Sequence, residues 1–207
     1  LGFAFAEIAG EPYWDETACY RFTAAEVDTL EDATAELEAR CREATAYAFK
    51  HDLNGPLGIP DGAWPIVKRS WDRREPSLYG RMDLRWDGTG PPKLLEYNAD
   101  TPTSIIETAV AQWHWKQDVQ PQADQFNSLH EALVARLADI ALRFARPQLH
   151  LACQFESLED TGNVEYLMDV ALQAGWQATM LDLAEIGVLD GGPSGGQFAD
   201  AQDQPIH

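Results

Sequence analysis

Positive charge is in short supply. Lys and Arg number 15 against 34 Asp and Glu in 207 residues, a formal net charge of −19. Nucleic acids and anionic membranes are bound through basic patches, so this composition argues against both as partners. Solubility is one account of the acidity, and a cationic ligand such as a polyamine is the sharper one. Cysteine is equally sparse. Cys19, Cys41 and Cys153 are odd in number, far apart and without any CxxC spacing. That argues against a disulfide framework or a cysteine zinc site and points to reduced thiols in a cytoplasmic protein. The 5 histidines fall at no ligand spacing, and no Ser/His/Asp order suggests nucleophilic catalysis. No apolar run is long enough to span a membrane and no signal peptide is visible, although the chain opens at Leu1 and not at a methionine, which leaves room for a segment upstream. The glycine-rich stretch 190–196 lacks the lysine of a phosphate loop and reads as a turn.

What is present is concentrated between Leu78 and Glu107. The pattern predicts strands at about 78–86 and 93–98, joined by a Gly/Pro turn at 87–92. Alternation puts Arg81 and Asp83 on one face, and Glu96 and Asn98 likewise. Closure about Thr89–Gly90 sets Asp83 opposite Glu96 and Arg81 opposite Asn98. Facing carboxylates repel, so such a sequence has turned that face to water or placed a cation between the acids. Two carboxylates and an amide oxygen suit a hard cation such as Mg²⁺, and Arg81 offers a planar fork for a carboxylate or phosphate. The run 98–104 then leads into a helix with Ser104 and Glu107 as a capping box, and helix starts favour anions. A site for a nucleotide or an acidic substrate is one reading of this stretch; an ordinary exposed hairpin before a capped helix is the other.

Around it the chain predicts an extended aromatic segment with a short hairpin (1–22), a helical turn boxed by Thr23 and Glu26, and helices at about 31–52, 63–71, 104–116 and 128–145, the last boxed by Ser128 and Glu131. Residues 147–183 read as strand, polar loop (156–162), helix (163–174), Gly175 and strand, a βαβ unit of an α/β fold. Ligands of such sheets bind beyond the carboxyl ends of the strands. The acids of loop 156–160 are therefore candidate contacts, or equally a helix start satisfying its dipole. Cys41 and Cys153 fall on apolar faces, as packing residues.

With Tyr79-Gly80-Arg81-Met82-Asp83 and Lys93-Leu94-Leu95-Glu96-Tyr97-Asn98-Ala99-Asp100-Thr101-Pro102-Thr103-Ser104, the chain resembles the glutathionylspermidine synthase family, and more closely its bacterial members that lack the amidase part. Glu11–Glu16, Arg69-Ser70-Trp71, Gln112–Trp115, Leu149–Cys153 and Asp203–His207 extend the likeness over the whole chain. The resemblance implies an ATP-grasp ligase with a Rossmann-like pre-ATP-grasp part. Its reaction would join a glutathione-like acid to an amine or polyamine through an acyl phosphate, with ATP and Mg²⁺. By motif, Asp83, Glu96 and Asn98 match the family's magnesium ligands. Arg81, Thr101 and Thr103 match its contacts to glutathione or the acyl phosphate, Arg81 being the catalytic candidate, and Glu159 and Asp160 match an acidic pair that contacts substrate. Family chains continue past the position of His207. The expectation is therefore a single front fragment over 1–207, with a hairpin–helix site at 78–116, the βαβ unit at 147–183 and the ATP-binding remainder beyond. The alternative is a peptide-, polyamine- or cation-binding module that performs no chemistry.

Overall fold

Thr23 starts the first helix as the sequence requires, but the helix it starts is much longer than a turn. The structure, a computed structural model, describes residues 7–8, 10–189 and 197–206. Glu7–Ile8 (β1) and Glu11–Pro12 (β2) form the short antiparallel hairpin expected near the front, turning through Gly10 at φ 83°. The Thr23 side chain accepts from the Glu26 N–H while Glu26 accepts from the Thr23 N–H, and Ala24–Lys50 (α1) follows without a break. The expected gap before residue 31 is absent because nothing from Asp28 to Glu31 is a Gly or Pro, and modest propensity does not stop a helix whose apolar stripe continues. Trp64–Arg73 (α2) ends at Arg74 in the left-handed region, φ 51°. Phe49, buried at the end of α1, packs against Trp64 and Trp71 of α2, with ring centroids 4.9 and 5.4 Å apart.

Arg81–Arg85 (β3) and Lys93–Asn98 (β4) form the central hairpin. Thereafter a π-helical turn, Glu107–Ala111, runs directly into Gln112–Val119 (α3). The Ser104–Glu107 capping box is not formed. Ser104 sits at φ 67°, a left-handed conformation costly for a residue with a Cβ, and the Glu107 carboxylate accepts from the Tyr13 hydroxyl, 94 residues away, at 3.1 Å. At Leu129–Ala141 (α4) the Ser128 side chain makes no cap bond. Asn127 replaces it, its Oδ1 accepting from the Leu129 N–H at 2.9 Å.

Gln148–Cys153 (β5), Leu158–Gln173 (α5) and Gln177–Asp182 (β6) make the βαβ unit, with β5 and β6 parallel and in register from Gln148↔Gln177 to Cys153↔Asp182. The expected loop at 156–162 is largely helix, because Ser157 caps α5 five residues earlier than the pattern suggested, its hydroxyl accepting from the Asp160 N–H. Gly175, at φ 88°, turns the chain into β6. Gly187–Leu189 (β7) and Gln197–Ala199 (β8) pair antiparallel near the end; the glycine-rich stretch 190–196 lies outside the described residues.

Two units result, Tyr20–Asp100 and the combination of Leu1–Cys19 with Thr101–His207. The boundary falls inside the 78–116 stretch. The second unit is centred on Leu133, Leu137, Ile140, Val170, Ala171, Trp176 and Leu181, all buried. Within that core the Trp176 indole N–H donates to the Leu137 carbonyl at 2.9 Å, so the ring is buried without an orphaned donor.

Candidate functional site

One face of the β3–β4 hairpin lies along α1. Met82 and Tyr97, paired across the ladder, line the same cleft as Thr34, Ala35 and Glu38 of α1. The Tyr97 hydroxyl donates to Glu38 Oε2 at 2.6 Å, and Glu38 also accepts from Arg42. Close packing here explains Gly80. A Cβ at that position would stand 2.6 Å from Tyr97 Cε2, so any side chain would displace the ring that reaches Glu38. The hydrogen bond to Glu38, then burial, holds the Tyr97 phenol up at about 12, and the same bond holds the Glu38 carboxyl below its ordinary range. A raised phenol pKa means a contribution to stability that is complete below the ordinary value and is lost as pH climbs from about 10 through about 12. In Glu38→Gln the phenolate absorbance of Tyr97 should therefore appear at lower pH, close to that of an ordinary tyrosine, as a spectrophotometric titration against Tyr97→Phe would show.

With Met82 facing α1, strand alternation puts the candidates on the opposite face. Arg81 pairs with Asn98 and Asp83 with Glu96, the register expected from the turn. Arg81 Nε and Nη2 donate to the two oxygens of Asp83 at 2.8 and 3.4 Å, a forked contact. The cation that the facing carboxylates call for is thus supplied in part by the chain's own guanidinium. Asn98 Oδ1 accepts from the Asp100 N–H at 3.2 Å, an Asx turn that fixes the side chain. No group of three or more His, Cys, Asp and Glu able to hold a metal occurs among the described residues; here the third oxygen is an amide. An all-oxygen set of two facing carboxylates and one amide fits a hard divalent cation and not a soft one.

The register holds only for the outer half of the ladder. Past Asp83↔Glu96 the next pair is Leu84↔Leu94, so β4 spends two residues on one of β3 and Leu95 bulges out, 69% exposed. Symmetric closure about Thr89–Gly90 fails from Leu84 onward.

Thr101, Thr103, Glu159 and Asp160 belong to the other unit. Glu159 and Asp160 lie in the first turn of α5, beyond the carboxyl end of β5, where carboxylates complement the exposed N–H groups of the helix start. The segment that carries Thr101 and Thr103 is tied to this helix by a residue the sequence reading passed over. Buried Asn163, 6% exposed, accepts from the Ile105 N–H at 3.2 Å through Oδ1 and donates to the Glu159 carbonyl at 2.8 Å through Nδ2. Tyr13, also missed, joins the cluster. Its hydroxyl is held above the usual phenol value by burial first and by Glu107 next, with smaller effects of Ser104 and Glu159. A polar residue at a helical position facing the core was the only available signal for Asn163. Asp182 closes β6, its Oδ2 accepting from the Phe155 N–H at 3.3 Å. Burial holds the Cys153 thiol up, in keeping with a packed and unreactive residue.

A family described as glutathionylspermidine synthase preATP-grasp matches residues 1–207 in full. The chain belongs to the glutathionylspermidine synthase family. It is 38% identical over its whole length to a Haemophilus influenzae protein named "Putative acid--amine ligase", of which it spans 53%. It is 31% identical over 81% of its length to the Escherichia coli bifunctional glutathionylspermidine synthetase/amidase, of which it spans 27%. A shorter match, 32% identical over 37% of the chain, joins it to the trypanothione synthetase of Crithidia fasciculata. These relatives are ligases by name, and the mixed helix-and-strand structure fits the pre-ATP-grasp domain of the family. No described helix is long and apolar enough to cross a membrane.

Proposed function

We propose that this chain is the front portion of an ATP- and Mg²⁺-dependent amide-forming ligase that couples a glutathione-like peptide acid to an amine or polyamine through an acyl phosphate. In this reading residues beyond 207 supply the ATP-binding remainder and the 147–183 unit is the Rossmann-like part of the pre-ATP-grasp domain. The observation that carries it is the ladder pairing of Asp83 with Glu96 beside Arg81 and Asn98, on the face turned away from α1. Asp83, Glu96 and Asn98 would hold the Mg²⁺, which would supply positive charge to offset the negative charge of the phosphate groups. Arg81, forked onto Asp83, would place its planar guanidinium beside the reacting carboxylate or phosphoryl group. The hydroxyls of Thr101 and Thr103 would orient the acid. Glu159 and Asp160 would attract the amine by charge, and Asn163 holds their helix against the segment that follows Thr103.

ADP release by the full-length protein tests the proposal. Release that requires Mg²⁺, a peptide acid and an amine together supports it. A protein that binds acid or amine yet releases no ADP with any such pair is a binding module, and the proposal fails.

A further inference from the structure

The bulge at Leu95 re-aims the inner half of β4. Without it, Leu94 would lie opposite Arg85; with it, Lys93 does. Exposure along β4 follows the same shift: Lys93, Leu95 and Glu96 are open while Leu94 and Tyr97 are half-buried. One face of the hairpin therefore carries, in order, the pairs Arg81/Asn98, Asp83/Glu96 and Arg85/Lys93. Two cations directly opposite each other on a ladder repel as two carboxylates do. Neither the Arg85 nor the Lys93 side chain makes a hydrogen bond or ion pair with a described residue, in a chain where acids outnumber bases by 34 to 15.

Around them the turn is internally fixed. The Trp86 indole N–H donates to the Gly90 carbonyl at 2.8 Å. The one carboxylate at the tip, Asp87, is occupied by the N–H and hydroxyl of Thr89, at 3.0 and 2.8 Å. Gly88 and Gly90 adopt the positive φ values, 83° and 68°, that this tight path requires. Arg85, Trp86, Asp87, Thr89, Pro91 and Lys93 line a cavity of about 210 Å³. Sites for whole drug-sized ligands begin at roughly 300 Å³, so this one suits a single charged group and not an entire nucleotide.

We propose that the hairpin tip is an oxyanion subsite, in which Arg85 and Lys93 bind a phosphate or carboxylate group of a ligand that lies along the hairpin face. The subsite stands on the hairpin geometry alone and does not depend on the ligase reading, so it is tested without turnover. Full-length protein labelled with fluorotryptophan is titrated with inorganic phosphate, pyrophosphate and acetate at constant ionic strength. Trp86 is followed by fluorine NMR, its signal assigned from Trp86→Phe. The expected result is a saturable shift of the Trp86 signal that weakens about tenfold or more in Arg85→Gln/Lys93→Gln, while Arg85→Lys keeps most of the affinity. Removing like charges should leave the double variant's melting temperature unchanged or higher, which a purely structural pair would not do. Tighter binding of pyrophosphate assigns the subsite to phosphates; equal or tighter binding of acetate assigns it to a carboxylate. A wild-type Trp86 signal that shifts with none of the three, or an unchanged shift in a folded double variant, overturns the proposal.

Discussion

If the proposed ligase reading holds, Asp83→Asn is expected to abolish Mg²⁺-dependent ADP release by the full-length protein, a loss of at least about 100-fold, and to leave its stability nearly untouched. Even residues that only support metal ligands cost on the order of 10- to 100-fold when changed, and an anionic ligand to the ion costs more. The stability side of the expectation comes from two opposed small effects. Asp83 loses its ion pair with Arg81, whose partners are 42% and 33% exposed and so contribute only about 0–1 kcal/mol. It also ceases to repel Glu96 across the ladder, which returns about 0.2–1 kcal/mol. A change in urea-unfolding free energy within about 0.5 kcal/mol is therefore expected, as for an ordinary surface substitution. Large losses in both quantities would mean that the Arg81–Asp83 fork is structural.

Asn163→Leu has the converse profile. It removes the acceptor of a buried backbone N–H at Ile105, itself 2% exposed, and the donor to the Glu159 carbonyl. Stranding a buried amide costs about 1–3 kcal/mol, and urea denaturation should show a loss in that range. Hydrogen exchange at Ile105 should quicken by more than the global loss explains, because its own acceptor is gone. Under the proposed ligase reading, KM for the peptide acid or the amine should rise more than kcat falls, since Asn163 would act only by positioning the helix that carries Glu159 and Asp160. An unchanged stability would show that water or a neighbour satisfies Ile105 in its place.

How far the sequence could be read depended on the range of the interaction that decides each feature. The pairing of Asp83 with Glu96 and of Arg81 with Asn98 matches the expected one, but the turn does not set it: the pairs beside the turn, Leu84↔Leu94 and Arg85↔Lys93, are one residue off symmetric closure, and the bulge at Leu95 restores the expected partners beyond it. The bulge at Leu95 was not legible, since nothing in Lys93–Asn98 marks which residue is skipped; in the fold Leu94 and Tyr97 are half-buried and Leu95 is left exposed. Capping boxes split in the same way. Thr23 with Glu26 forms as written, whereas Glu107 is taken by Tyr13 and Ser128 is replaced by Asn127. A tertiary partner or a neighbouring side chain outbid the local motif there. The βαβ unit was legible from Gly175 and the two apolar strands, but α5 begins at Leu158 because a single hydroxyl, that of Ser157, caps it ahead of the apolar pattern. The π-helical turn at Glu107–Ala111 left no trace in hydrophobic spacing, and Asn163 looked like any polar residue on a helix.

Manganese(II) can stand in for magnesium and be counted directly, so electron paramagnetic resonance of Mn²⁺ with the full-length protein addresses the hairpin site without relying on turnover. In the presence of a non-hydrolysable ATP analogue, wild type should bind Mn²⁺ saturably. The stoichiometry should fall in Asp83→Asn and Glu96→Gln and persist in Glu159→Gln, whose carboxylate is assigned to the amine. Undiminished Mn²⁺ binding in folded Asp83→Asn and Glu96→Gln would place the metal elsewhere and contradict the assignment of this hairpin face.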